Sequence, residues 1–229
     1  MIPENARARL LEEPVERAGV VRLLERRRPF PPVRTLEPLG AGDFCTAWLL
    51  NGHEVVRVAR HDAATRALAR EACVLPAIAG RLPAVVPRPV FDDGGEDGAA
   101  FAVHERVAGV ELTAELWRVL PEPARADLPR ELGAFLAALH AVDPAVGVAC
   151  RVPVLDHRAD AVRLRARLGA AAGVLPDALR GAIDDRLARW LDDERGRARM
   201  EPRLLNADVS PGHVLVDLEH GEITGIIDW

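Results

Sequence analysis

The chain has 229 residues, of which 49% are hydrophobic and 28% charged, and its formal net charge is −5. This length and balance are typical of one large or two modest globular domains, and the net negative charge argues against general nucleic-acid binding. No apolar run approaches the roughly 20 residues that a membrane-spanning helix needs, and the N-terminus lacks a signal-type segment, so we expect a cytoplasmic protein. Cys45, Cys73 and Cys150 are scattered without CxxC spacing, which predicts reduced, mostly buried thiols.

The first part of the chain predicts a helical N-terminus followed by a β-sheet. Residues 4–28 have the composition of one or two Arg- and Glu-rich helices, ended by the prolines at 29–32. Asn51 and Gly52 form a strong hairpin signal, because both residues tolerate positive φ. The extended runs around this turn and before it lie at 33–39, 44–50 and 53–59.

A glycine-rich turn at 40–43 links the first two extended runs. Gly40 and Gly42 would let backbone amides approach a phosphate closely, although Gly-x-Gly is equally compatible with a plain tight turn. In the third run, Arg57 stands among valines, where a charge is costly unless it is paired. We therefore expect Arg57 to contact an anion, the alternative being an outward-facing, solvated arginine.

A helix is predicted over 62–80, with Asp62 as its N-cap. Glu71 lies in the middle of this helix, where a glutamate is usually solvated. The candidates for its buried side are Leu68, Cys73, Leu75 and Ile78.

A further strand is predicted from 101 to 107, after a passage punctuated by prolines. We interpret residues 104–110 as a hinge between two lobes. His104 is compatible with a position in this hinge and equally with a buried core imidazole.

The chain is then predicted to be helical, with an amphipathic helix over 129–141. Asp156 is a candidate cap for an Arg-rich helix at 157–169, and Pro176 opens another helix. Acidic residues of that last helix, such as Asp184, are expected on its solvated face. Its apolar stripe is expected to be core and consists of Leu179, Ile183, Leu187, Trp190 and Leu191.

The last stretch, LLNADVSPGHVLVDLEHGEITGIIDW, contains a short apolar run, a polar loop and a hairpin. Gly221 marks the turn between two apolar strands, which brings Asp228 back towards the loop that holds Asp208 and His213. Two carboxylates and an imidazole that converge there would bind a divalent cation and a phosphate, as phosphoryl transfer requires. Taken singly, each aspartate is also compatible with a turn former or a cap.

This stretch resembles the catalytic and metal-binding segment of the aminoglycoside phosphotransferase family, the small-molecule relatives of protein kinases. The family pattern is HGDxxxxN followed by an apolar hairpin and IDW or IDF. His213 stands where most members have Asn, as is common in the 2″-aminoglycoside and macrolide branches, and Asn206 stands where the family has His. The glycine-rich turn and the strand EVVRVAR are similar to the nucleotide-covering loop of the same family.

The resemblance implies an α+β, two-lobed, protein-kinase-like fold. Residues 1–103 would form the nucleotide-binding N-lobe, an antiparallel sheet with a helix, and 104–110 the hinge. Residues 111–229 would form a mainly helical C-lobe with the catalytic loop and the metal site. Family members continue for several helices beyond the position of Trp229, so the C-lobe is expected to be incomplete, with an apolar surface open to self-association.

The resemblance also implies a role for each candidate residue. The catalytic residue would be Asp208, and the Mg²⁺ ligands would be His213 and Asp228. The nucleotide phosphates would be contacted by Gly40, Gly42 and Arg57, with Glu71 paired to Arg57. The purine base would lie against the hinge, at His104, Glu105 and Val107.

The implied reaction is transfer of the γ-phosphoryl group of ATP or GTP to a hydroxyl of a small molecule, with an aminoglycoside as the expected acceptor. A macrolide is the alternative acceptor, because Pro-Gly-His after the catalytic aspartate also fits that branch. A catalytically impaired nucleotide-binding module is a third hypothesis, motivated by Asn206. Acidic residues collect the cationic acceptor in this family, and the candidates here are Asp156, Asp160 and Asp184. No nucleic-acid or membrane partner is expected.

Overall fold

The computed structural model describes residues 17–26, 32–95, 99–171, 173–194 and 201–229. The chain divides into two compact units. We call Met1–Arg151 with Arg203–Trp229 the sheet unit, and Val152–Pro202 the helical unit. No helix in the described ranges is long and apolar enough to cross a membrane.

The described residues include seven helices and eight strands. The helices are α1 (Arg17–Arg26), α2 (Asp62–Ile78), α3 (Ala114–Val119), α4 (Glu122–His140), α5 (Pro144–Ala149), α6 (His157–Leu168) and α7 (Asp177–Asp192). The strands are β1 (Leu36–Ala41), β2 (Cys45–Leu50), β3 (Glu54–Ala59), β4 (Val90–Asp92), β5 (Phe101–Glu105), β6 (Val110–Glu111), β7 (Val214–Val216) and β8 (Ile223–Ile226). Short 3₁₀ turns lie at Ala79–Arg81, Gly169–Ala171 and Pro211–His213.

An antiparallel five-stranded sheet, ordered β1-β2-β3-β5-β4, forms the N-terminal part of the sheet unit. The predicted hairpin between β2 and β3 is present, with Asn51 at φ 52° and Gly52 at φ 78°. The Asn51 side chain accepts hydrogen bonds from the Arg34 and Thr35 amides at 2.8 and 3.2 Å, which joins this turn to the segment before β1. The predicted strands are confirmed with small shifts of their boundaries.

Helix α1 packs against this sheet through one apolar face. Val20 and Leu24 are 0% and 2% exposed and share a cluster with Leu50, Val56 and Phe101. Burying each of these side chains contributes about 1.5–3 kcal/mol. The predicted N-terminal helix is confirmed over this range, and the rest of 4–28 and residues 29–31 lie outside the described residues.

Helix α2 begins one residue earlier than the predicted cap implies, because His61 and not Asp62 is its N-cap. His61 has an extended backbone, with φ −167° and ψ 167°, and its Nδ1 accepts a hydrogen bond from the Ala64 amide at 3.2 Å. Asp62 becomes the first helical residue, where a carboxylate still interacts favourably with the helix dipole. The predicted N-cap is therefore wrong by one position.

Cys73 and Cys150 form a disulfide bond, which contradicts the prediction of reduced thiols. Cys73 lies on α2 and was expected on its buried side, but it is exposed. Cys150 follows α5, and the two cysteines are 77 residues apart. No local spacing reveals such a pair, because only the packing of α5 against α2 brings them together. Cys45 is a free thiol.

A three-stranded antiparallel sheet, ordered β6-β7-β8, carries the last stretch of the chain. The predicted hairpin at Gly221 is confirmed, with φ 71°. A Cβ on Gly221 would lie 2.5 Å from the Ala124 Cβ, so both the backbone conformation and the packing on α4 require glycine here. This hairpin fixes where the chain leaves β8 towards Asp228.

The helices of the second half differ from prediction in extent and burial. Helix α4 begins at Glu122, seven residues before the predicted 129–141, and its apolar face includes the fully buried Phe135 and Leu139. In the helical unit, Asp156 caps α6 as predicted, accepting from the Ala159 amide at 2.9 Å. Helix α7 contains no buried residue, so the prediction that its apolar stripe is core is wrong.

Candidate active site

Arg57 is held between two carboxylates. Its guanidinium donates to Glu71 Oε2 at 2.5 Å through Nη1 and to Asp228 Oδ1 at 3.2 Å through Nη2. The Arg57 and Glu71 side chains are only 17% and 8% exposed. The anionic partner expected for a charge inside an apolar strand is present, and the solvated-arginine alternative is wrong.

Glu71 is the more buried member of this ion pair. Burial raises the pKa of Glu71 to about 7, and the positive charge of Arg57 opposes that rise. The pattern of α2 alone predicted a solvated glutamate, which the burial contradicts. Because Glu71 holds one guanidinium nitrogen, the other is aimed at Asp228, and the Arg57 fork has a fixed orientation suited to phosphate oxygens.

Asn206, Asp208, His213 and Asp228 form a closed ring of contacts. The Asp208 amide donates to Asn206 Oδ1 at 2.9 Å, and Asn206 Nδ2 donates to the Asp228 carbonyl at 3.4 Å. His213 Nδ1 lies 2.7 Å from the Asp208 carbonyl oxygen, and His213 Nε2 lies 3.5 Å from Asp228 Oδ2. The catalytic-loop residues predicted from the sequence are thus brought together, and Asp208 itself is exposed.

The Asp228 backbone adopts the left-handed region, with φ 59°. This conformation is uncommon outside glycine and persists where surrounding contacts determine it. The preceding amide is fixed, because Ile227 donates its N–H to the His213 carbonyl at 2.9 Å. Asp228 therefore turns its carboxylate towards Arg57 and His213 instead of continuing the strand direction.

The contacts of His213 assign its tautomer. A carbonyl oxygen only accepts hydrogen bonds, so the Nδ1 that faces Asp208 carries the proton. In the neutral ring, Nε2 then has a free lone pair on the side of Asp228. A nitrogen lone pair and a carboxylate that face the same space are suitable ligands for a divalent cation.

His213 and Asp228 supply two donors for a metal and not three. In the part of the chain that the structure describes, no group of three or more His, Cys, Asp and Glu side chains is placed to hold a metal ion. Asp208 is linked to His213 through its backbone carbonyl, and its carboxylate was predicted as the catalytic group and not as a metal ligand. The Asp228 carboxylate is the kind of oxygen donor that Mg²⁺ prefers, and Mg²⁺ takes most of its other ligands from phosphates and water.

Gly40 and Gly42 lie at the end of β1 and in the turn to β2. Neither adopts positive φ, and a Cβ on either would meet nothing within 4 Å. The fold itself therefore does not require glycine at these positions, and the space above them is open to a ligand. The Gly42 amide is already used within the turn, because it donates to the Cys45 carbonyl at 2.9 Å.

His104 is buried at the end of β5 and contacts its own strand. Its Nδ1 lies 2.8 Å from the Glu105 carbonyl oxygen, and burial lowers the pKa of His104. Glu105 is exposed, while the Val107 side chain packs over Gly225 of β8. Contacts of these three residues with a base, and the lobe boundaries around them, stay predictions.

The three candidate carboxylates of the helical unit already have partners. Asp156 caps α6, and Asp160 pairs with Arg163 one turn away. Asp184 accepts two hydrogen bonds from Arg165, at 2.7 and 2.9 Å, and its side chain is 44% exposed, as expected for the solvated face of α7. None of the three predicted acceptor contacts is an unpaired carboxylate.

Sequence reasoning missed two side chains that position the strand before Asp228. Glu131 of α4 accepts a hydrogen bond from the Ile223 amide at 2.7 Å, across 92 residues. Thr224 donates its hydroxyl to the Ala108 carbonyl at 2.6 Å. Both contacts join distant elements, so no local pattern marks them.

Comparison with known proteins agrees with this geometry. The sequence model of a family described as "APH: Phosphotransferase enzyme family" matches residues 35–229. A comparison with curated proteins finds no match.

Three solved structures illustrate the structural similarity. An aminoglycoside 2″-phosphotransferase in complex with GDP and kanamycin has a TM-score of 0.78 and 27% identity, covering 91% of this chain and 71% of that one. The GDP complex of an aminoglycoside 2′-phosphotransferase has a TM-score of 0.80 and 25% identity, with coverages of 93% and 72%. The macrolide 2′-phosphotransferase from Brachybacterium faecium has a TM-score of 0.67 and 23% identity, with coverages of 94% and 72%. The α+β, protein-kinase-like fold expected from the sequence is confirmed.

Proposed function

The chain belongs to the phosphotransferase enzyme family, and we propose that it transfers the γ-phosphoryl group of ATP or GTP to a hydroxyl of a small molecule. The contact of Arg57 with both Glu71 and Asp228 carries this proposal, because it joins the β3 cation, α2 and the C-terminal hairpin at one point. Phosphoryl transfer depends on such positioning of opposite charges more than on covalent chemistry.

In the proposed reaction, Asp208 orients the acceptor hydroxyl and accepts its proton. The hydroxyl oxygen bonds to the γ-phosphorus while the bond to the leaving diphosphate oxygen breaks. Arg57 would hold the phosphates through the guanidinium that Glu71 orients, and the open turn at Gly40 and Gly42 would cover them. Mg²⁺ would be held by His213 Nε2 and the Asp228 carboxylate and would neutralise charge on the phosphates.

We propose an aminoglycoside as the acceptor, since a relative of 27% identity is described in complex with kanamycin. The donor is proposed as GTP or ATP, since GDP is named in three of the similar structures at 25% identity or more. The base would lie at the hinge of His104, Glu105 and Val107.

A macrolide acceptor is the second candidate, and a specific observation favours it. An apolar groove of about 470 Å³ opens beside the catalytic loop. Its lining includes Leu112, Trp117, Leu128, Leu132, Pro211 and Ile223. A groove of this kind suits a large ligand with an apolar face.

Turnover of radiolabelled ATP and GTP on a panel of aminoglycosides and macrolides tests the proposal. Label transferred to an aminoglycoside supports the first candidate, and label transferred to macrolides alone supports the second. Nucleotide binding without transfer to any acceptor, unchanged in Asp208→Ala, would instead support a nucleotide-binding module.

A further inference from the structure

We propose that Asn206 is a positioning residue of the phosphotransfer site, which fixes the metal-binding carboxylate of Asp228 relative to the Asp208 loop. This inference rests on the proposed function. It concerns one of the two residues, Asn206 and Ala207, at which the chain departs from the HGD pattern of the family it resembles.

The Asn206 side chain makes two different hydrogen bonds with its two different atoms. Its Oδ1 accepts from the Asp208 amide at 2.9 Å, and its Nδ2 donates to the Asp228 carbonyl at 3.4 Å. The first bond spans two residues and forms a local turn, whereas the second spans 22 residues and reaches the end of the hairpin. A side-chain amide carries both an acceptor and donors, so one residue links the two loops.

The second bond acts on a backbone that needs support. Asp228 is a non-glycine residue at φ 59°, a conformation that L side chains disfavour and that relaxes when its contacts are lost. The Ile227 amide fixes one side of this residue through the His213 carbonyl. Asn206 fixes the other side through the Asp228 carbonyl, so the carboxylate between them has a defined direction.

The Asp208 backbone completes the coupling to the second proposed ligand. Its N–H is bound by Asn206 and its carbonyl faces His213 Nδ1 at 2.7 Å. Losing Asn206 would therefore release Asp228 directly and His213 through Asp208. Removal of a residue that hydrogen-bonds to a metal ligand typically weakens metal binding by about 10- to 100-fold.

The test separates the long bond from the local one. Asn206→Ser keeps an oxygen that can accept from the Asp208 amide but is too short to reach the Asp228 carbonyl, and Asn206→Ala loses both bonds. Each variant is titrated with MgCl₂ at fixed GTP, and separately at fixed ATP, with thermal stabilisation of the protein as the readout. We expect the half-saturating Mg²⁺ concentration to rise about tenfold in Asn206→Ser and at least as much in Asn206→Ala.

Two further readouts distinguish positioning from a general structural role. Stabilisation by the nucleotide without Mg²⁺ should be unchanged, and in turnover kcat should fall while the KM for the acceptor stays the same. Asn206→His restores the residue of the family pattern and a donor of longer reach, so it should lie closer to the wild type than Asn206→Ala.

Asn51→Ser is the matched control, because Asn51 also bonds backbone groups with both side-chain atoms in a turn. It should lower the melting temperature without changing the Mg²⁺ midpoint. Midpoints within twofold of wild type in both Asn206→Ser and Asn206→Ala would overturn the inference alone. A wild-type protein that no nucleotide stabilises would overturn the proposed function, and the inference with it.

Discussion

The candidate site in the sheet unit and the exposed surface of helix α6 in the helical unit use charged residues in different ways. In the sheet unit, Arg57 joins carboxylates 14 and 171 residues away, and the Arg57 and Glu71 side chains are largely buried. In the helical unit, Asp160 pairs with Arg163 three residues along the same exposed helix. Local pairs of this kind follow from helix geometry and contribute little. Distant, buried pairs form only when the fold is complete, and they mark the candidate site.

The largest expected effect is on kcat, which should depend on a residue of the sheet unit and not on a matched residue of the helical unit. Asp208→Asn removes the proposed proton acceptor and should lower kcat by about 10²- to 10⁴-fold, because the amide cannot take the hydroxyl proton. Steady-state kinetics with the acceptor found in the panel measures this effect. Asp177→Asn, which breaks an exposed pair with Arg180, is the matched change in the helical unit and should leave kcat unchanged. A fall of less than tenfold in Asp208→Asn would contradict the assigned role.

A second prediction concerns the link between α2 and α5 in the sheet unit. Reduction of the Cys73–Cys150 bond should lower the free energy of unfolding by about 2–5 kcal/mol, because the unfolded chain regains freedom across a long loop. Urea unfolding with and without a reductant measures the difference. Cys150→Ser should show the lower stability already and should not respond to the reductant. Equal stability of the oxidised and reduced wild type would show that the bond does not restrain the fold.

A third prediction uses the ionisation of Glu71. Its pKa is raised to about 7 in the folded protein by burial, so the folded state binds more protons than the unfolded state between about pH 4.5 and 7. Stability from this group is fully present below that window and is lost as pH rises through it. The free energy of unfolding of the wild type, relative to that of Glu71→Gln, should therefore fall by up to about 3 kcal/mol as pH rises over this range.

Unfolding free energies of the wild type and Glu71→Gln at several pH values check this sign. The comparison between the two proteins removes the titration of all other groups. If the wild type instead becomes more stable relative to Glu71→Gln as pH rises, the contact with Arg57 outweighs the effect of burial on the pKa of Glu71.

The smallest effect is expected on the surface of the helical unit. Asp160→Asn breaks the pair with Arg163 and should change the free energy of unfolding by less than about 1 kcal/mol, because solvent screens both groups. Chemical denaturation of the two proteins provides the measurement. A loss comparable with that of the disulfide would remove the contrast drawn between the two units.

The sequence predicted the features whose causes are local. The turns at Asn51-Gly52 and Gly221 were predicted because positive φ favours glycine and asparagine. The Asp156 cap was predicted from its position just before a helix. The Cys73–Cys150 bond was not predicted, because the two cysteines meet only through the packing of α5 against α2. The exposure of Leu179 was also missed, because an apolar stripe indicates a face and not what covers it.

In the candidate site, too, features with a local cause were predicted and features that depend on tertiary contacts were not. Aspartates at 208 and 228 were identified through a motif, but their connection through Asn206 and the left-handed backbone of Asp228 depends on three-dimensional contacts. Burial of Glu71 likewise follows from the packing of α2 on the sheet and not from its place in the helix.

Calorimetric binding of a slowly hydrolysed GTP or ATP analogue, with and without Mg²⁺, tests the central claim most directly. If Arg57 and Asp228 meet around the phosphates and their metal, Mg²⁺ should strengthen binding to the wild type. Asp228→Asn should keep the metal-free affinity and lose that gain, while Arg57→Ala should bind weakly under both conditions. The same Mg²⁺ gain in Asp228→Asn as in the wild type would contradict the account.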